Sequence, residues 1–291
     1  MLGAALLFSA MAVCVKAGGE RLPVVQLVFA RLAVTLVLSL VAIRRLGLSP
    51  LGVDRRRLLL RALSGLLGLG CFFYALDNLP LADAKAIQFS SPVFTALLAA
   101  MMLRERIGPT EAAGIALSII GVVAVARPAF LFGSSVDPLD PVATGVAVVG
   151  ALAAAVAYVT VRRLRATDQP LVIVGIFPIV GFPLILPFAI YYWVWPTPLE
   201  WALMLGIGVS TQAAQVLMTR ALHLAPAGVA MAVGYVQIVL GFVWGVALFA
   251  EPVHAMSLLG AVLIMGGTTL TSARAAGLFR RKVAASKETP E

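Results

Sequence analysis

Long apolar runs separated by short polar stretches divide the chain into ten segments, and this pattern predicts ten membrane-spanning helices. A helix of about 20 apolar residues crosses the roughly 30 Å hydrocarbon core of a bilayer. The short first run leaves open whether its helix is tilted or begins upstream of the first residue given. The predicted spans are Met1–Lys16, Val24–Arg44, Leu58–Leu76, Ala82–Leu103, Thr110–Ala126, Val142–Val161, Leu171–Val194, Leu199–Leu222, Ala227–Ala250 and Ala255–Thr271.

The second half of the chain repeats the first at a constant shift of 146 residues. Each copy contains five predicted helices, an odd number, so the second copy enters the membrane from the opposite side. We therefore expect an all-α integral membrane protein of two inverted five-helix repeats with a binding site between them, an architecture typical of secondary transporters. The matching pairs include Pro80 and Pro226, Glu105 and Glu251, Gly114 and Gly260, and Gly121 and Gly267.

The repeat also predicts how the chain is organised. Residues 1–130 are expected to form the first five-helix repeat and residues 142–275 the second. Residues 131–141 carry glycine, serine, aspartate and proline, which is typical of a linker, here on the outer side. Residues 276–291 form a polar, charged tail that is expected in the cytoplasm.

Composition excludes a soluble protein. The apolar share is 61%, the charged share is 12% and the mean hydropathy is +1.02, against about a quarter charged in soluble domains. A net charge of +9 suggests nucleic-acid binding only in a soluble chain. Here the basic residues lie mainly in short predicted loops, where they set the orientation in the membrane, so no nucleic-acid partner is expected.

The distribution of these loop charges predicts the orientation. Seventeen lysines and arginines fall on one side of the predicted bundle, and only Lys16, Arg21, Lys85 and Arg127 fall on the other. Positively charged loops remain in the cytoplasm. We therefore expect a multi-pass protein of the cell (inner) membrane with both termini in the cytoplasm.

A family resemblance supports this architecture. The sequence resembles the drug/metabolite transporter superfamily, and more narrowly its EamA-type ten-helix group, in the stretch Ala75-Leu76-Asp77-Asn78-Leu79-Pro80 with Ala84, Pro92-Val93-Phe94, Glu105-Arg106, Gly114 and Gly121. The second copy matches more loosely, and Ile238 stands where the first copy has Pro92. In its length and general sequence pattern, the chain looks most like the YddG-type amino-acid exporters. The resemblance implies transport of amino acids, other metabolites or toxic compounds.

Uncharged polar side chains inside predicted helices are candidates for substrate binding. Polar groups in a membrane interior are costly and face a cavity or a partner. Gln88 and Ser91, and likewise Gln212 and Gln215, are spaced to share one helix face. The alternative is that these groups bond across helices without touching substrate. The full set of candidates is Tyr74, Gln88, Ser91, Tyr158, Gln212, Gln215, Tyr235 and Gln237.

Three charged residues have both a functional and a structural interpretation. Arg31, about 12 Å into the second predicted helix, is expected to bind a substrate carboxylate, helix-terminal carbonyls or an acid such as Asp83. Asp83 and Lys85 open the fourth helix at the outer interface, where the acid complements the positive helix end and the lysine reaches water. They are also candidates for holding the two charges of an amino acid. Pro92 is a candidate hinge, with a purely structural kink as the alternative.

Glycine and glutamate residues at the repeated positions are expected to stabilise the fold. Gly114 and Gly121, with their counterparts in the second repeat, allow close helix packing, by default within the chain. Glu105 and Glu251 are expected to cap neighbouring helix starts, with proton coupling as the alternative. The monomer is the default oligomeric state.

No enzyme motif, metal-ligand spacing or cofactor-binding loop is found in the sequence, so an enzyme is not expected. The predicted function is a secondary carrier that exports amino acids, aromatic or other apolar ones, or similar small metabolites, by alternating access. The alternative is a carrier for another small metabolite or a cationic drug. The expected partners are the small-molecule substrate and the lipid bilayer.

Overall fold

The computed structural model describes residues 1–103, 108–127, 139–164, 166–224 and 234–270, and these residues form helices joined by short connections. The described part of the chain contains no β-strand. Its helices are α1 (Leu2–Gly19), α2 (Val24–Arg45), α3 (Arg55–Asn78), α4 (Leu81–Gln88), α5 (Ser91–Leu103), α6 (Pro109–Ala126), α7 (Pro141–Leu164), α8 (Pro170–Tyr191), α9 (Pro198–Leu224), α10 (Val236–Phe249) and α11 (Ala255–Leu270).

Six of these helices, α1, α2, α3, α7, α8 and α9, are long and apolar enough to cross a membrane. Shorter apolar helices occur in α6, α10 and α11. The protein is therefore a multi-pass membrane protein, and the regular secondary structure of its described residues is helical. The linker predicted at 131–141 lies mostly outside the described residues, and the tail predicted at 276–291 lies wholly outside them.

The fourth predicted span, Ala82–Leu103, is not one continuous helix. The structure divides it into α4 and α5, with Phe89 and Ser90 between them. Pro92 lies in the first turn of α5 and has no N–H with which to continue the ladder to the Gln88 carbonyl. The Ser90 N–H instead bonds the Ile87 carbonyl at 3.0 Å. The prediction of a single span was wrong at this point because Pro92 lies in the first turn of a new helix and does not merely kink a continuous one.

Helices α6 and α11 cross in close backbone contact through the repeated glycines. A Cβ atom added to Gly121 would lie 2.8 Å from the Gly260 carbonyl oxygen, and one added to Gly260 would lie 2.6 Å from the Gly121 carbonyl oxygen. Gly114 and Gly267 approach each other in the same way, so the two helices run antiparallel. The prediction that these glycines pack within the chain is confirmed.

One end of the bundle, here named the Glu251 end, is closed by ion pairs between distant segments. Glu251 pairs with Lys16 at 2.7 Å and accepts the Leu81 N–H at 2.8 Å. It therefore caps a helix start, but that of α4, distant in sequence, and not that of the following helix α11 as predicted; Glu105 lies outside the described residues. Arg21 of the α1–α2 connection also pairs with Glu200 at the start of α9, with Nε 2.6 Å from Oε1.

At the opposite end, here named the Asp168 end, one carboxylate joins two connections between helices. Asp168, in the α7–α8 connection, accepts the Val53 N–H at 2.6 Å and the Asp54 N–H at 3.2 Å. Burial alone raises the pKa of Asp168, but hydrogen bonds from Val53, Thr167 and Asp54 outweigh it and hold the pKa below its ordinary value. Gly52 has a φ of +58° directly beside this carboxylate, where a side chain would be both strained and in the way.

Candidate functional site: a central cavity

A cavity of about 340 Å³ lies at the centre of the bundle, which is a size typical of small-molecule sites. Its lining comes from α1 to α5 in the first half of the chain and from α7 to α10 in the second. On α3 the lining residues run from Arg61 to Phe72, and on α9 from Gln212 to Met218. The α3 stretch is centred on the middle of its helix, whereas the α9 stretch lies between the middle of its helix and the Asp168 end. The cavity therefore extends from the centre of the bundle toward the Asp168 end.

The structure brings nine of the predicted site residues together in this cavity. Gln88 and Ser91 lie on either side of the α4–α5 break, while Gln212 and Gln215 enter from α9 on the far side. The nine residues are Arg31, Lys85, Gln88, Ser91, Pro92, Tyr158, Gln212, Gln215 and Gln237.

Three predicted residues do not line it. Tyr74 packs, partly buried, against the apolar core. Tyr235 is buried, and its hydroxyl donates to that of Thr268, while its ring lies 5.6 Å from the ring of Phe89, measured between centroids. Because Phe89 itself lines the cavity, Tyr235 supports the wall from behind.

The third residue outside the cavity, Asp83, pairs with Arg127 at 3.2 Å, and both side chains are almost completely buried. Asp83 therefore pairs with Arg127 and not with Arg31, which was one of the predicted alternatives. The expectation that Asp83 lies at a wet outer interface was wrong, since the carboxylate is enclosed by protein.

Lys85 does not reach water either, contrary to the prediction. Only 2% of the residue is exposed. Its Nζ donates to the Phe8 carbonyl and to Gln237 Oε1, each at 3.2 Å, and lies 5.3 Å from the centre of the Phe72 ring. Helix α4 packs against α10, α7, α6 and α3, so Lys85 is enclosed by neighbouring helices and its ammonium faces the cavity.

Two arginines also face the cavity. Arg31 lies with its guanidinium 5.6 Å from the centre of the Phe73 ring, and Arg61 lies 5.7 Å from that of Phe177. Arg61 is one of the seventeen basic residues whose distribution predicts the orientation, and its position in the cavity wall was not predicted. A signal was present, since Arg61, Gly65, Gly68 and Phe72 fall on one face of a helix.

Aromatic and thioether side chains complete the wall. Phe72, Phe89 and Phe177 line the cavity together with Met11 and Met218. Apolar walls with a few convergent polar groups are the usual composition of a small-molecule site. This arrangement can hold a molecule that has both a charged group and an apolar part.

A family comparison decides what kind of protein carries this cavity. The model of the EamA-like transporter family matches residues 1–127 and 143–273. The chain belongs to the EamA-like transporter family. The resemblance to the drug/metabolite transporter superfamily is thereby confirmed, and the double match supports the internal repeat.

Individual relatives agree with this assignment. The chain is 33% identical to the pseudopaline exporter CntI of Pseudomonas aeruginosa over 265 residues, which cover 90% of each chain. It is 28% identical to solute carrier family 35 member G1 of Mus musculus over 225 residues, covering 74% of this chain and 61% of the relative. A solved crystal structure shares the fold with a TM-score of 0.65 at 20% identity, covering 95% of this chain and 96% of its own. The protein is a transporter with a cavity between its two family-matched halves.

Proposed function

We propose that this transporter exports amino acids or similar small metabolites through the central cavity by alternating access. The observation that carries the proposal is the position of the cavity between the two halves of the chain, together with the ion pairs at the Glu251 end. A carrier of two repeats rocks one against the other around a fixed central site. Closure at one end and access from the other is one state of such a cycle.

The predicted orientation in the membrane indicates the direction of transport from this state, which is closed at the Glu251 end. The proposed topology is that of two inverted repeats in the inner membrane. Because positively charged loops remain in the cytoplasm, we expect the Asp168 end and both termini on the cytoplasmic side. The cavity then takes up substrate from the cytoplasm, and the ion pairs at the Glu251 end separate it from the outside. The resemblance to the pseudopaline exporter over 90% of both chains supports outward transport.

The chemistry of the wall supports an amino-acid-like substrate. A guanidinium such as that of Arg31 binds a carboxylate with two parallel hydrogen bonds. The amides of Gln88 and Gln212 can bond an ammonium or hydroxyl group, while Phe72 and Phe177 contact an apolar side chain. A cationic drug is disfavoured because the described lining residues include cations and no aspartate or glutamate.

The test is counterflow in proteoliposomes against a panel of apolar amino acids, polar amino acids, other metabolites and organic cations. We expect accumulation of amino acids or related carboxylates, and no accumulation in protein-free liposomes. Flux of organic cations alone would replace the proposal by the drug-carrier alternative. An absence of flux for every amino acid and related metabolite would overturn it.

A further inference from the structure

The central cavity contains more positive charge than an amino acid can balance. Arg31, Arg61 and Lys85 all line it, from three different helices. All three side chains face the same cavity of about 340 Å³, so three positive charges share one small volume. Among the described lining residues there is no aspartate or glutamate.

The described acids near the membrane interior are bound elsewhere. Asp83 pairs with Arg127, Glu251 with Lys16 and Glu200 with Arg21, all outside the cavity lining. None of these carboxylates is left for the cavity cations.

Apart from one another, the cavity cations have only uncharged neighbours among the described lining residues. The Nε atoms of Arg31 and Arg61 are buried and lack a hydrogen-bond partner among the described residues. Lys85 donates to a carbonyl and an amide. Each cation also faces an aromatic ring, but such a contact offsets only part of the free-energy cost of removing a cation from water.

A zwitterionic amino acid has one carboxylate and one ammonium, so it adds no net charge to this site. We infer that the substrate is a small organic anion with two acidic groups, in the form of two carboxylates, and an apolar part. Arg31 and Arg61 bind these groups, each guanidinium presenting a planar fork that fits a carboxylate. Lys85 contributes a third positive charge, and the phenylalanine wall contacts the apolar part. This inference rests on the proposed function and narrows its substrate class.

The experiment compares substrate pairs that differ by one acidic group. Glutamine and glutamate form one pair, and phenylalanine and N-(carboxymethyl)phenylalanine form the second. Serine and phosphoserine form a third, which distinguishes a phosphate from a carboxylate as the second acidic group. Each compound competes for counterflow in proteoliposomes, and each is tested for thermal stabilisation of the purified protein in detergent.

We expect the dicarboxylate of each carboxylate pair to compete at least about tenfold better than its partner, a factor equivalent to about 1.4 kcal/mol. Arg61→Gln should remove most of this preference, and Arg61→Lys should retain part of it because the charge remains. Arg57→Gln is the matched control, because Arg57 lies one turn earlier on α3, is half exposed and pairs with Asp54 at 2.9 Å. It should leave the preference unchanged.

The outcomes separate the inference from the proposed function. Flux of amino acids with no preference for the second carboxylate in the wild-type protein overturns the inference and leaves the proposed function intact. A preference for phosphoserine alone assigns the site to phosphate esters and overturns the dicarboxylate assignment. An absence of flux and of stabilisation for every compound of these pairs overturns the inference, and an absence of flux across the wider panel of amino acids and metabolites overturns the proposed function itself.

Discussion

Asp83 Oδ2 accepts a hydrogen bond from Arg127 Nη2 at 3.2 Å inside the protein, joining the start of α4 to the residue that follows α6. Both side chains are at most 3% exposed, so neither charge is solvated by water. Arg127 also adopts a φ of +47°, which is uncommon for a residue with a side chain. The pair fixes the end of α6 against the segment that leads into the cavity wall.

Removing one member of this pair should destabilise the protein strongly. Asp83→Asn leaves the Arg127 charge buried and unbalanced, which typically costs about 3–5 kcal/mol. The measurement is thermal or denaturant unfolding of the purified protein in detergent. Arg57→Gln, which breaks an exposed pair, should cost at most about 1 kcal/mol. A double variant, Asp83→Asn with Arg127→Gln, should recover part of the loss, and equal stability of Asp83→Asn and the wild type would contradict this account.

The break between α4 and α5 should matter for transport rate. In Pro92→Ala the new N–H can bond the Gln88 carbonyl, so α4 and α5 can join into a stiffer helix. We expect slower counterflow with little change in substrate affinity, because Pro92 contributes no polar group to the cavity wall and the polar lining residues remain. Pro183→Ala, inside α8 and absent from the cavity lining, is the control. Unchanged rates in a well-folded Pro92→Ala protein would remove the hinge hypothesis.

The contact between α6 and α11 should tolerate no added side chain. Gly121→Ala places a methyl group 2.8 Å from the Gly260 carbonyl oxygen, and overpacking of this kind costs roughly 1–3 kcal/mol. Gly145→Ala in α7 is a matched control, since nothing lies within 4 Å of the added atom. It should be neutral or stabilising by up to about 1 kcal/mol. Melting temperatures of the two variants in the same detergent give the comparison, and a Gly121→Ala protein as stable as Gly145→Ala would show that the helices can separate.

Asp168 should make stability depend on pH in the acidic range. Its pKa is lower in the folded protein than the ordinary value of 3.8. The stabilisation is therefore complete well above the unfolded pKa and is lost as pH falls through the folded pKa. Unfolding measured from pH 7 down to pH 3 should show a steeper loss for the wild type than for Asp168→Asn. Parallel curves for the two proteins would contradict the assignment.

Much of the architecture could be predicted from the sequence because the membrane imposes simple rules. Apolar runs of sufficient length must form helices, since every backbone group in lipid needs an internal hydrogen bond. The shift of 146 residues predicted two copies, and the family model matches both. The same internal repeat identified the glycines at which α6 and α11 pack. The start of α5 at Ser91 was not predicted, because a proline in an apolar run is compatible with a kink, a break or a new helix.

The site was predictable in part. Polar residues within apolar runs identified Gln88, Gln212 and Gln215, since such groups are costly in lipid and must face the protein interior. The partners of the charged residues were not predictable in this way. Asp83 and Lys85 lie two positions apart, yet one pairs with Arg127 and the other faces the cavity.

The sequence by itself determined that this is a helical membrane transporter built from two copies of one unit, because hydropathy and internal repetition are properties of the chain alone. Only the tertiary structure decided which charges neutralise one another and which remain in the cavity. Three basic residues form ion pairs at the Glu251 end or close beside it: Lys16, Arg21 and Arg127. Among the described residues, no acid pairs with the three cavity cations, Arg31, Arg61 and Lys85. An ion pair requires two groups within about 4 Å, and for residues far apart in the chain that distance is set by helix packing.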